Sequence, residues 1–143
     1  MPIQFIFTDT TIQLSERMRL KHFLENLFKQ KRRDLTSLVI IFCTDEYLLD
    51  INNRFLQHDY YTDIVTFNLS NNPTIIEGEI YISTDRIKEN AAANKVSIRE
   101  ELHRVIFHGV LHLCGYKDKT AINKKEMTRM EDETLNKFFV SLM

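Results

Sequence analysis

The sequence predicts one layered α/β domain of mixed α+β character over residues 1–143, with about four strands in a mixed sheet packed by about five helices. Three observations predict it. Short apolar runs rich in β-branched residues are interspersed with longer stretches whose apolar residues recur at helical spacing. No repeat, low-complexity tract or linker interrupts the chain. Its length suits one real core and is too short for two comfortable ones. Ile3 to Thr8 alternates as a strand does, and from Ser15 to about Lys31 the residues Leu20, Phe23, Leu24, Leu27 and Phe28 recur on one helical face. Leu38 to Cys43 is continuously apolar, the pattern of a strand covered on both faces. Thr44-Asp45-Glu46 opens a second helix, with Leu48, Ile51 and Phe55 on one side. Ile64 to Leu69 and Glu79 to Ser83 read as two more strands, separated by the polar loop Ser70 to Thr74. Thr84-Asp85 caps a helix that runs to about Asn94. Ser97 with Glu100 reads as a capping box for the next helix, from about Ile98 to Leu113, and Arg99-Glu100-Glu101 places acids in its first turn. Leu102, Val105, Ile106 and Leu113 supply its packing face. A last helix from about Ala121 to Leu142 carries Met127, Met130, Leu135, Phe138 and Phe139. The pattern leaves the strand order open.

Composition narrows the function classes. At 43% hydrophobic and 27% charged, the chain has the make-up of an ordinary soluble globular domain. Leu38 to Cys43 is far too short to span a bilayer, and the N-terminus lacks a signal-peptide pattern, so no membrane partner is expected. Cys43 and Cys114 do not suggest a disulfide scaffold, and a reducing cytoplasm is the simplest compartment. The net charge of −1 argues against an indiscriminate grip on nucleic acid, though not against a local basic patch. Lys29-Gln30-Lys31-Arg32-Arg33 ends the first long helix, where cations suit the dipole in any case. Lys117, Lys119, Lys124 and Lys125 surround Asp118 and either steer a phosphate backbone or solvate the start of the last helix.

The chemistry concentrates in His108-Gly109-Val110-Leu111-His112-Leu113-Cys114-Gly115-Tyr116-Lys117-Asp118. Histidines four apart on a helix sit one above the other on the same face. Gly115 can take the left-handed conformation that ends a helix and turns the chain back. Asp118 then either meets the two imidazoles or caps the following helix. Two imidazoles and a carboxylate with room for water make an open zinc site of the catalytic kind. The spacing matches the ligands of one class of zinc peptidases, yet Gly109 stands where those enzymes carry their general-base glutamate. Cys114 falls on a different side of the helix and reads as packing. His22, His58 and His103 have no such partners and read as surface or rim residues.

The signature from His108 to Tyr116 resembles that of the YbeY family, bacterial metal-dependent endoribonucleases of ribosomal RNA maturation. Asp59-Tyr60-Tyr61-Thr62-Asp63-Ile64-Val65-Thr66-Phe67 is similar to the family's Asp-x-Pro-Thr-Asp-Val-Leu-Ser-Phe segment, and Gly78-Glu79-Ile80-Tyr81-Ile82-Ser83 to its Gly-Asp-Ile-x-Ile-Ser strand. Glu126-Met127 with Glu131 fits its C-terminal helix. The likeness covers about Ile51 to the C-terminus in the family's order. Three positions depart from it. Asp118 stands at the family's third ligand histidine, with Lys117 at the aspartate before it. Leu56 stands where the family has an arginine linked to activity, with Arg54 two residues away as a substitute. Tyr61 replaces the proline.

The resemblance implies a zinc-dependent endoribonuclease that cleaves single-stranded RNA in ribosomal RNA processing, ribosome maturation and quality control, with ribosomal RNA and the small ribosomal subunit as partners. His108, His112 and Asp118 are the expected ligands of one Zn2+ or another divalent ion, and Lys117, Lys119 and Arg54 the weaker substrate contacts. A zinc with three protein ligands polarises a phosphoryl oxygen and lowers the pKa of water to about 7, which does not need the peptidase glutamate. Two rivals stand beside this reading: a zinc-dependent peptidase or amide hydrolase, and a non-catalytic ribosome assembly factor.

Overall fold

A computed structural model of the chain describes residues 2–56 and 63–140. The elements run β1 (Ile3–Phe7), α1 (Arg17–Gln30), β2 (Asp34–Cys43), α2 (Asp45–Leu56), β3 (Ile64–Asn68), β4 (Ile75–Ser83), α3 (Thr84–Asn94), α4 (Ile98–Leu113) and α5 (Ala121–Val140). Four strands in a mixed sheet and five helices bear out the expected fold class.

The sheet order is β1-β2-β4-β3, with β1 and β4 parallel to β2 and β3 antiparallel to β4. Helix α1 makes the crossover between the parallel strands β1 and β2. β2 therefore lies at the centre, which explains its unbroken apolar run: Leu38, Ile40, Ile41, Phe42 and Cys43 are all buried. The sheet is longer than its apolar runs suggested, because β2 begins at Asp34 and β4 at Ile75. Those added residues pair along the ladder (Asp34 with Ile75, Leu35 with Ile76), but Thr36, Ser37, Glu77 and Gly78 separate their apolar side chains from the runs that follow.

Strand alternation sorts the side chains between two faces. Ile64 and Ile80 meet α4 on one face, where Leu20, Leu24 and Phe28 of α1 and Phe138 of α5 join the same core. Val65 and Tyr81 turn to the other face, towards Cys43 and Leu48 of α2. Phe55, expected on the packed side of α2, is exposed and meets Phe67 edge-on, 6.2 Å between centroids.

Helix caps follow local chemistry. Ser97 Oγ accepts from Glu100 N at 3.0 Å, as the capping box requires. Helix α3 is capped by Ser83, whose Oγ accepts from Arg86 N at 3.2 Å, one residue earlier than the Thr84-Asp85 expectation. His103 departs further from the sequence reading. It is 2% exposed, stacked on Phe138 at 5.0 Å and set edge-on to Phe139 at 5.3 Å. One turn separates it from Phe107, so it shares that residue's inward face. His22 is exposed as expected, and His58 lies outside the described residues.

Candidate metal centre

Helix α4 packs on β3 and β4, and at Gly109 it lies close against them. A Cβ at that position would lie 2.8 Å from Ile64 Cδ1 and 3.1 Å from both Cδ1 and Cγ2 of Ile80. The position that holds the glutamate in a zinc peptidase therefore faces the sheet, where even a Cβ would crowd the Ile64 and Ile80 side chains. His108, one residue earlier, and His112 one turn later, project beside this contact, their rings 4.6 Å apart and nearly perpendicular.

The end of α4 brings the third group back. Tyr116 N donates to Leu111 O and Gly115 N to His112 O, both at 3.0 Å, the paired bonds of a Schellman turn. Gly115 takes φ 100°, a conformation a side chain would strain. Tyr116 packs with Leu111, the apolar contact that accompanies this turn. The reversal sets Asp118 Oδ2 at 3.3 Å from His108 Nε2 and 3.3 Å from His112 Nε2. Asp118 is not the cap of α5. That role falls to Thr120, whose Oγ1 accepts from Asn123 N and whose carbonyl accepts from Lys124 N.

A carboxylate lies behind His108. Glu131 of α5 is buried, and its Oε2 accepts from His108 Nδ1 at 2.5 Å while its Oε1 accepts from Arg104 Nη1 at 3.0 Å. Arg104 also donates to Asp132 at 2.7 Å. A proton held on Nδ1 leaves Nε2 as a lone pair aimed at Asp118, the arrangement typical of metal-ligating histidines. Burial pushes the His108 pKa down, but the hydrogen bond and charge of Glu131, with Asp63 and Asp118 behind them, outweigh it and hold the imidazole above its usual range.

Three donor atoms, from His108, His112 and Asp118, lie within 4.8 Å of one another. The donors of a tetrahedral ion with bonds near 2.0–2.1 Å stand about 3.3 Å apart, which matches both imidazole–carboxylate distances. The donor set fits a divalent ion. Each of the three side chains is partly exposed, so the site opens to solvent on one side.

The remaining sequence candidates are less engaged. Lys117 and Lys119 flank Asp118 and are exposed. Arg54 sits in the last turn of α2 with Nε 3.2 Å from Asp50, and no contact among the described residues links it to the imidazoles. Leu56 ends α2, and the segment holding Asp59 to Thr62 lies outside the described residues. Cys114 is buried as packing, and burial pushes its thiol up to about 11. The residues that spacing did not single out are Glu131 and Arg104. Arg104 stands one turn before His108 on the same helix face, a signal that was present, whereas the link to Glu131 spans 23 residues.

Comparison with known proteins agrees with this geometry. The model of the Endoribonuclease YbeY family matches residues 5–139. An Endoribonuclease YbeY from Cytophaga hutchinsonii is 47% identical over 134 residues, covering 94% of both chains. One from Christiangramia forsetii is 39% identical, covering 94% of this chain and 93% of its own. A protein from Thermotoga maritima with a known solution structure superposes with a TM-score of 0.67 at 26% identity, over 98% of this chain and 91% of that one. Likeness sustained from β1 to α5, with the paired histidines inside it, places the chain in the endoribonuclease YbeY family.

Proposed function

We propose that residues 1–143 act as one metal-dependent endoribonuclease domain that cleaves single-stranded ribosomal RNA during maturation and quality control of the small ribosomal subunit, in the cytoplasm, with zinc as the resident ion. The observation that carries this reading is the convergence of two Nε2 atoms and one carboxylate oxygen in a family whose curated relatives are named endoribonucleases. No helix among the described residues is long and apolar enough to cross a membrane.

His108, His112 and Asp118 would hold the ion. When bound, it supplies Lewis acidity towards a phosphoryl oxygen and a lowered pKa for water. The protein contributes the rest. Glu131 keeps the His108 proton on Nδ1, and Arg104 neutralises Glu131 from its other oxygen. Lys117 and Lys119 place positive charge beside the site, where a phosphodiester gains negative charge as it is cleaved. Gly109 weighs against a peptidase, because the sheet occupies the space its glutamate would need.

Metal analysis of the purified protein, paired with cleavage of single-stranded and duplex RNA, tests the reading. Wild-type protein should carry one zinc and cut the single strand, and His112→Ala should lose both properties. Cleavage at the wild-type rate by metal-free His112→Ala would overturn it. Casein hydrolysis with RNA left intact would favour the peptidase, and ribosomal-subunit binding without cleavage under any metal would favour the assembly factor.

A further inference from the structure

We propose that the basic cavity between the end of α1 and the turn after α4 holds a phosphate of the RNA strand flanking the cleavage site. The proposal rests on the endoribonuclease reading. By sequence, Lys29 to Arg33 looks like a helix end that merely suits the dipole. The fold gives it another setting. Lys31 Nζ donates to Tyr116 Oη at 2.9 Å, and Arg33 Nη2 donates to Cys114 O at 2.6 Å. Together with Gly115 these residues line an open cavity of about 230 Å3. Tyr116, which lines the cavity, and Asp118 are two residues apart on one short turn, so their Cα atoms stand at most about 7 Å apart.

The charge there is unspent. Arg54, Arg86, Arg99, Arg104, Arg129 and Lys137 each lie on a carboxylate. Lys31 and Arg33 lie instead on a phenol and main-chain carbonyls, with no carboxylate within 4.0 Å among the described residues. Glu126 and Glu133 of α5 feel the Lys31 charge, but their own hydrogen bonds go to Arg129 and Lys137. Lys31 retains donors beyond the one given to Tyr116. Two cations held in place by neutral acceptors, beside an open cavity on the ligand-bearing turn, suit a phosphodiester anion better than a neutral group. Their spacing from Asp118 would set which stretch of the strand is held while its neighbour meets the metal centre.

The test measures binding of a labelled single-stranded 2′-O-methyl oligoribonucleotide to zinc-loaded protein by fluorescence anisotropy across a potassium chloride series. Losing one phosphate contact should weaken binding by about fivefold and flatten the log–log salt dependence by about 0.7. We expect this of Lys31→Gln, with unchanged zinc content and melting temperature, recovery in Lys31→Arg, and a cleavage defect that falls in KM. Arg33→Gln also removes the anchor on Cys114, so Lys31→Gln is the decisive variant. Lys88→Gln, on α3, should leave affinity and salt slope unaltered. Wild-type affinity and slope in Lys31→Gln would overturn the cavity while leaving the nuclease reading intact. An equal loss in Lys88→Gln would overturn it too, by showing a diffuse charge effect. A wild-type protein that binds no RNA would overturn the nuclease reading and the cavity with it.

Discussion

Glu131→Gln isolates what the carboxylate behind His108 contributes. The substitution is nearly isosteric, so packing around the buried Glu131 is preserved, but its chemistry is not. A carboxylate is an acceptor at both oxygens and serves His108 Nδ1 at 2.5 Å and Arg104 Nη1 at 3.0 Å together. An amide cannot. With its oxygen on His108, its NH2 faces the guanidinium. With its oxygen on Arg104, its NH2 faces Nδ1 and drives the imidazole proton to Nε2, the atom aimed at Asp118. A charge-assisted hydrogen bond is worth about 1.5–3 kcal/mol. Arg104 keeps Asp132 at 2.7 Å and is partly exposed, so water recovers some of that loss. The expected cost is about 1–3 kcal/mol, or about 3–9 °C in Tm at this chain length.

Metal binding should suffer as well. Removing the partner that sets a ligand histidine's tautomer costs about 10–100-fold in affinity, equivalent to about 1.4–2.8 kcal/mol. Chelator competition on the zinc-loaded protein gives the Kd, and calorimetry with and without metal separates site from scaffold. A lowered Tm with a zinc Kd within about twofold of the parent would refute the reasoning. Glu131 would then be an anchor for α5 with no hold on the His108 tautomer.

Three other perturbations test neighbouring claims. Asp118→Asn should weaken metal affinity at least about 10-fold while leaving α5 intact, because Thr120 caps that helix, and Asp118→His should retain metal and shift preference from manganese or magnesium towards zinc; equal metal affinity in Asp118→Asn would remove it from the ligand set. Gly109→Ala sets a helix-propensity gain of about 1 kcal/mol against overpacking of about 1–3 kcal/mol at Ile64 and Ile80, so denaturant titration should find it neutral to about 2 kcal/mol destabilised, and a more stable variant would contradict the close approach of α4 to the sheet. Burial holds the His103 pKa below its usual value, so the unfolded chain takes up the proton first; stability owed to neutral His103 is complete above about pH 6.5 and falls as pH drops towards the folded pKa, by up to about 1.4 kcal/mol per pH unit. Urea titrations across that window should show His103→Phe lacking this component, and identical pH profiles would refute it.

What could be read in the sequence was what local spacing determines. The four-residue interval put both imidazoles on one face, Ser97 and Glu100 marked where α4 starts, and Gly115 marked where it turns back towards Asp118. Contacts made across elements were not legible. The Arg33–Cys114 bond joins residues 81 apart and the Lys31–Tyr116 bond joins residues 85 apart, so a helix end gave no sign of lying against the ligand-bearing turn. The pairing of β2 with β4, which sends β3 to the edge, likewise depends on packing that no single run encodes. His103 was misplaced because a lone polar residue on a helix gives no hint of the Phe138 and Phe139 rings that another helix brings over it.

Gly109 joins the two kinds of information. In the sequence it marked only a missing glutamate, which left peptidase chemistry without its base. In the fold the same missing side chain lets α4 approach Ile64 and Ile80, and that approach positions His108 and His112 beside the sheet. A glutamate there would have to displace the sheet before it could reach a substrate. Restoring the peptidase base would therefore move the helix that carries both imidazoles, so close packing and departure from peptidase chemistry are consequences of one residue.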